Sequence, residues 1–149
     1  PGRSIPEAGI AIHGITPAMV RGCPPATVVL PAFRAFVADT VLVGHNVAFD
    51  LSFLTRKEAA TGIAFDMPVL DTLILAGLVH PGETSHGLDE TALRLGLPAA
   101  TARHTALGDA RATAGILIRL IPLLAQRGIV TLGDARAEAE RSWYARLRY

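Results

Sequence analysis

A four-residue apolar run that ends in a polar bend limits the fold of this chain more than any other feature. In VLVGHNVAFDLSFL, the segment Val41 to Gly44 is short and apolar throughout. Side chains on both faces are apolar, which is the pattern of a buried parallel strand rather than a half-solvated one. The backbone then turns through Gly44, His45 and Asn46, and Ala48 to Ala60 reads as a helix closed by Gly62. Strand, bend and helix in this order belong to an α/β fold. Pro68 to Leu70 supplies a second short strand, followed by a helix over Asp71 to Leu78.

The remaining segments are helical or turn-rich. Pro1 to Pro25 is punctuated by proline and glycine and reads as loop with short helical turns. Ala26 to Asp39 places Val29, Phe33, Phe36 and Val37 on one helical face, with Pro31 expected in the first turn, where its missing N–H costs little. Leu88 to Leu95 is a helix closing at Gly96. Thr105 to Gln126 is a long helix with Ala114, Leu117, Ile118 and Ile121 predicted inward. Gly128 and Gly133 break the chain, and Ala135 to Tyr149 is a charged final helix. The spacing divides the chain into a main domain over residues 1–126 and a C-terminal helix or linker over 127–149.

Composition narrows the function classes. The chain has 149 residues, half of them hydrophobic, and a formal net charge of +1, so no global basic field announces nucleic acid. The apolar stretch Ala114 to Ala125 is interrupted by Arg119 and Pro122 and is too short to span a bilayer. A single cysteine, Cys23, excludes an internal disulfide and a cysteine zinc site. A cytoplasmic location with no membrane association is the expectation.

Two short stretches carry candidate chemistry. In GHNVAFD, Asp50 falls near the first turn of a helix, where free N–H groups and the helix dipole favour a carboxylate. The same position lies at the C-terminal end of a strand, where open α/β sheets bind ligands. In RHTALGDA, His104 lies on an entry loop and Asp109 one turn inside the long helix. Each stretch alone is compatible with capping.

Together they are more specific. GHNVAFDLSFL, VLDTLILAGLV, HGLDETALRLGL and RHTALGDARATAGILIRL, in this order and spacing, resemble the later motifs of the DnaQ-like (DEDD superfamily, histidine subtype) 3′–5′ exonucleases. That superfamily includes the proofreading subunit of bacterial DNA polymerase III and ribonuclease T. The resemblance covers Pro1 to Leu124 and implies a ribonuclease H-like exonuclease fold. It implies that Asp50 and Asp109 ligate metal, that His104 is the general base, that His13, Gly14 and Ile15 border the terminal nucleotide, and that Asn46 and Phe49, near the second motif's acid, bind substrate. It further implies two Mg2+ or Mn2+ ions, single-stranded nucleic-acid 3′ ends as substrate, and association with a polymerase or with further domains of the same polypeptide. Asp71 matches a recurrent aspartate outside the metal set and is expected to cap the helix that follows it.

The implied chemistry suits these residue types. Divalent ions of this kind prefer carboxylate oxygen and water. A pair of them about 4 Å apart stabilises both the attacking and the leaving oxygen of a phosphodiester. Imidazole, which ionises near neutrality, suits removal of a proton from the attacking water.

One departure is plain. The family's first motif, an Asp-x-Glu on the first strand, has no counterpart in this chain, which begins at a segment that follows the first three strands in relatives. The chain is therefore expected to lack those strands, to be N-terminally incomplete, and to be weakly active or inactive as it stands. Two alternatives follow: a non-catalytic nucleic-acid or protein binding module on the exonuclease scaffold, or a regulatory segment of a multidomain protein. The tail interleaves Arg136, Arg141, Arg146 and Arg148 with Trp143, Tyr144 and Tyr149, diluted by Glu138 and Glu140, and reads as a solvated helix or a linker.

Overall fold

A computed structural model describes residues 4–98 and 104–142. Trp143, Tyr144, Arg146, Arg148 and Tyr149 lie outside the described residues. The elements run α1 (Glu7–His13), α2 (Ala26–Val37), β1 (Leu42–Gly44), α3 (Val47–Thr61), β2 (Val69–Asp71), α4 (Thr72–Val79), α5 (Leu88–Arg94), α6 (Ala106–Ala125) and α7 (Leu132–Arg141). The fold is mixed α/β.

The two apolar runs do form strands, and they pair in parallel, with Leu42 opposite Val69, Val43 opposite Leu70 and Gly44 opposite Asp71. This is the one sheet among the described residues. The second edge of β1 has no strand beside it there, and Val43 is exposed rather than buried. An edge strand accounts for that departure from the buried-strand expectation.

The core is helical. Leu75, Ala76 and Val79 of α4 pack with Ala92 of α5, Ile116, Leu120 and Leu124 of α6, and Ala135 of α7. Buried residues occupy nearly every position of α4, so this helix is the centre of the molecule. Arg127 ties the chain after α6 back to α4, donating from Nη2 to the Val79 carbonyl at 2.7 Å. None of the helices among the described residues is long and apolar enough to cross a membrane.

Several element details differ from the sequence pattern, each for a local reason. Pro31 sits in the interior of α2, not its first turn, so the helix forgoes the bond its N–H would make. Of the predicted inner face of α2, Val37 is buried and Phe33 meets the Phe65 ring at 5.5 Å, but Phe36 is 83% exposed. On α6 the core face is Thr113, Ile116, Leu120 and Leu124, whereas Ile118 and Ile121 are exposed. Gly133 does not end a segment. The Thr131 hydroxyl accepts from Asp134 N–H while the Asp134 carboxylate accepts from Thr131 N–H, and this capping box starts α7 at Leu132.

Candidate functional site

The bend between β1 and α3 is built by three residues with different tasks. Gly44 is required by space: a Cβ there would lie 2.6 Å from Val47 Cγ2. Asn46 holds φ of 63°, a left-handed conformation that asparagine tolerates better than most residues. An N-cap residue ordinarily lies in the extended region and bonds the first free amides with its own side chain. Asn46 makes no such bond.

The cap of α3 comes instead from the neighbouring strand. The Asp71 carboxylate, at the end of β2, accepts from the Asn46 N–H at 2.9 Å and the Val47 N–H at 3.1 Å. It also accepts from Leu73 N–H at 2.9 Å and so caps its own helix α4, as the sequence predicts. One buried carboxylate thus satisfies the starts of two helices.

His45 braces the same bend. Its Nε2 lies 2.8 Å from the His86 carbonyl oxygen, which can only accept, so Nε2 carries the proton. Its Nδ1 lies 2.9 Å from the Thr72 hydroxyl, which is itself 3.1 Å from the Gly44 carbonyl. The loop bearing His86 is in turn held by Arg94, whose Nη2 donates to the Ser85 carbonyl at 3.0 Å and pairs with Glu83 at 3.2 Å. His86 is buried, and its pKa is lowered: burial penalises the imidazolium, and the Arg94 cation adds to this.

With the bend fixed, α3 presents Asp50 to a cleft of about 860 Å³ between β1, α3 and α6. Asp109, from the first turn of α6, lines the same cleft. Asn46 and Phe49 line it as well, beside apolar walls from Leu42, Leu54, Leu117 and Ile118. Exposed Ile118 of α6 is therefore cleft wall, part of a second apolar face on a helix whose first face is core, whereas Ile121 lies outside the cleft lining. Burial raises the Asp50 pKa above 3.8, a backbone hydrogen bond offsets part of that rise, and the Asp71 charge adds to it.

His104 sits at the entrance to α6. Its backbone is left-handed, with φ of 61°, and its N–H donates to Asp109 Oδ1 at 3.2 Å. The carboxylate thus holds the residue that carries the imidazole. The start of α6 is capped by the Thr105 hydroxyl, which accepts from Gly108 N–H at 3.1 Å. The turn of His13, Gly14 and Ile15 is separate from the cleft lining. It closes α1, with Gly14 at φ of 70° and Ile15 N–H donating to His13 Nδ1 at 3.0 Å.

The two cleft aspartates offer the hard oxygen donors that Mg2+ or Mn2+ prefers. In number they fall short: among the described residues no three His, Cys, Asp or Glu side chains gather where they could hold a metal ion. The donor set fits in kind and is incomplete in count.

A family model described as Exonuclease matches residues 1–117. The chain belongs to this exonuclease family. Its relatives agree with a DnaQ-like exonuclease. A DNA polymerase III subunit epsilon-like protein of Rhodobacter capsulatus is 47% identical over 142 residues, covering 95% of this chain and 20% of that protein. The DNA polymerase III subunit epsilon of Aquifex aeolicus is 40% identical over 122 residues, covering 81% of this chain and 60% of that protein. A PolC-type DNA polymerase III of Clostridium perfringens is 39% identical over 114 residues, covering 76% of this chain and 8% of that protein. The exonuclease chain thus spans from under a tenth to about three fifths of these relatives. Membership supports a nuclease function.

The bend of this exonuclease domain relies on residues that motif spacing does not single out. Thr72 and His86 show no local signal, because their partners lie 27 and 41 residues away. Asp71 announces its cap of α4 by position. Its bonds to α3 are visible only in three dimensions.

Proposed function

We propose that the cleft is the working site of a metal-dependent 3′–5′ exonuclease that hydrolyses phosphodiester bonds at nucleic-acid 3′ ends and releases mononucleotides. The observation that carries this reading is the meeting of Asp50 and Asp109, far apart in sequence, on the wall of one cleft in an exonuclease-family chain. The names of the relatives favour DNA as the nucleic acid and a DNA polymerase as the partner.

In this reading Asp50 and Asp109 are the carboxylates that would hold a divalent ion. Such an ion supplies Lewis-acid stabilisation of charge on the phosphoryl oxygens when bound. His104 takes the proton from the attacking water, and its backbone bond to Asp109 keeps base and carboxylate in register. Asn46 and Phe49 border the terminal nucleotide from the α3 side. The apolar wall of Leu42, Leu54 and Leu117 excludes bulk water and strengthens the charge interactions in the cleft. His13, Gly14 and Ile15 are assigned to the nucleotide by resemblance alone. Residues 1–126 form the exonuclease unit of this proposal, and 127–149 continue from it.

The test is hydrolysis of a labelled single-stranded oligonucleotide with Mg2+ or Mn2+, comparing the chain with His104→Ala and Asp109→Asn. Both variants should lose activity by two or more orders of magnitude while keeping the native circular dichroism. A His104→Ala variant that cuts at the unaltered rate removes the base assignment. A second reading rests on the small acidic set: with two cleft carboxylates among the described residues, the scaffold binds nucleic acid without cutting it. Tight oligonucleotide binding with no mononucleotide released in either metal would select that reading.

A further inference from the structure

Helix α3 carries a stripe of which the catalytic reading uses only the first residue, Phe49. Phe49, Phe53 and Arg56 are spaced four and three residues apart, which puts them on one face of the helix. The two rings are 63% and 53% exposed, unusual for phenylalanine on a soluble domain. They meet edge to face with centroids 5.0 Å apart and an interplanar angle of 74°. The Arg56 guanidinium lies over the Phe53 ring, 5.8 Å from its centroid. The stripe begins inside the cleft, since Phe49 lines it beside Asp50. Phe53 and Arg56 carry it outward, about 10 Å along the helix axis.

The order of chemistry along the stripe suits one kind of occupant. At the cleft end lies a carboxylate, in the middle two open aromatic faces, and at the far end a cation with Lys57 next to it in sequence. An apolar protein segment would cover the rings but leave the guanidinium facing nothing it needs. A single-stranded nucleic acid meets both, because bases stack on aromatic faces and phosphates pair with arginine. The stacked guanidinium is already held in place, so less freedom is lost when a phosphate arrives.

We infer that Phe53 and Arg56 extend the nucleic-acid site out of the cleft, with a base stacked on Phe53 and a backbone phosphate on Arg56. This rests on the nuclease reading above, and it adds a grip on the strand 5′ to the nucleotide in the cleft.

Fluorescence anisotropy with a labelled oligothymidylate of about 12 nucleotides, in EDTA so that nothing is cut, tests it across a salt series. Phe53→Ala should weaken binding about tenfold with the salt slope unchanged, and Phe53→Trp should restore it. Arg56→Ala should weaken binding and lower the slope of log affinity against log salt by about 0.7, the signature of one lost phosphate contact on a single strand. If the parent chain binds and both alanine variants match it in affinity and slope, the stripe is not part of the site, and the nuclease reading stands. If the parent chain binds no oligonucleotide, the inference falls, and hydrolysis with Mg2+ or Mn2+ decides the nuclease reading separately. If Phe53→Ala leaves oligonucleotide binding intact but turns a self-associated species into a monomer in sedimentation velocity, the stripe is a protein contact and the inference is overturned. Should Phe53→Ala fail to fold, the Arg56→Ala salt slope decides alone.

Discussion

At the residue scale, Asp71 does more for the candidate site than its position outside the cleft suggests. It is buried and accepts three backbone N–H bonds, two from the start of α3 and one from the start of α4. Replacing it with alanine strands those donors and removes a helix cap, so Asp71→Ala should destabilise the fold by about 3 kcal/mol. Urea denaturation followed by circular dichroism measures this directly, and a change under 1 kcal/mol would contradict the assigned role. Asp50 makes the opposite prediction. Its carboxyl is held above 3.8, chiefly by partial burial. The folded state therefore binds that proton more tightly than the unfolded chain does. Stability from this group is present below 3.8 and is lost as pH rises through the raised value. Asp50→Asn should raise the melting temperature at neutral pH, and the gain should vanish near pH 3. His86 works with the sign opposite to Asp50, since a histidine whose pKa is lowered loses stability as pH falls below its ordinary 6.5. The helix-start positions of Asp50 and Asp109 were legible in the sequence, each acid a few residues from its bend or cap, and their pairing came from the family resemblance. The brace of His45, Thr72 and His86 was not legible, because hydrogen bonds across 27 and 41 residues leave no periodicity.

At the element scale, α6 shows why apolar spacing predicts a helix better than it predicts which face is buried. Its start at Thr105 and its length follow from the sequence. Its apolar residues, however, occupy two faces. Ile116, Leu120 and Leu124 meet the core, Ala114 and Ile118 meet the cleft, and Leu117 touches both. With both faces apolar, periodicity alone does not choose between them. Mutation can. Leu120 is fully buried, so Leu120→Ala should cost about 2–5 kcal/mol. Ile118 is 67% exposed, so Ile118→Ala should stay within about 0.5 kcal/mol. Equal costs in chemical denaturation would mean that the cleft wall is packed rather than open. The start of α7 teaches a related lesson. A glycine in a sequence suggests a break, yet the reciprocal bonds of Thr131 and Asp134 carry the helix through Gly133.

At the scale of the whole molecule, the chain is a helical core with the cleft along one side. The core joins α4, α5, α6 and α7, whereas α1 has no buried residue and α2 has one. Local opening should follow that gradient. Native-state hydrogen exchange should find the slowest amides in α4 and the middle of α6, and early exchange in α1 and α2. Uniform protection across all helices would show that α1 and α2 are fixed by more than the packing described. The fold class was legible from the two apolar runs and their connecting helices. The absence of a second neighbour beside β1 among the described residues was an expectation of the family resemblance and not of strand apolarity, which reports what a sheet can bury and not which neighbour is present.

The shared cap at Asp71 has a mechanical consequence. The helix that aims Asp50 into the cleft and the helix at the centre of the core begin on the same carboxyl group. The cleft floor cannot tilt without pulling on the interior, and heat that loosens the interior also spoils the aim of the acid. A ligand that clamps Asp50 should therefore make the far side of the protein harder to melt, as a keystone steadies stones it does not touch.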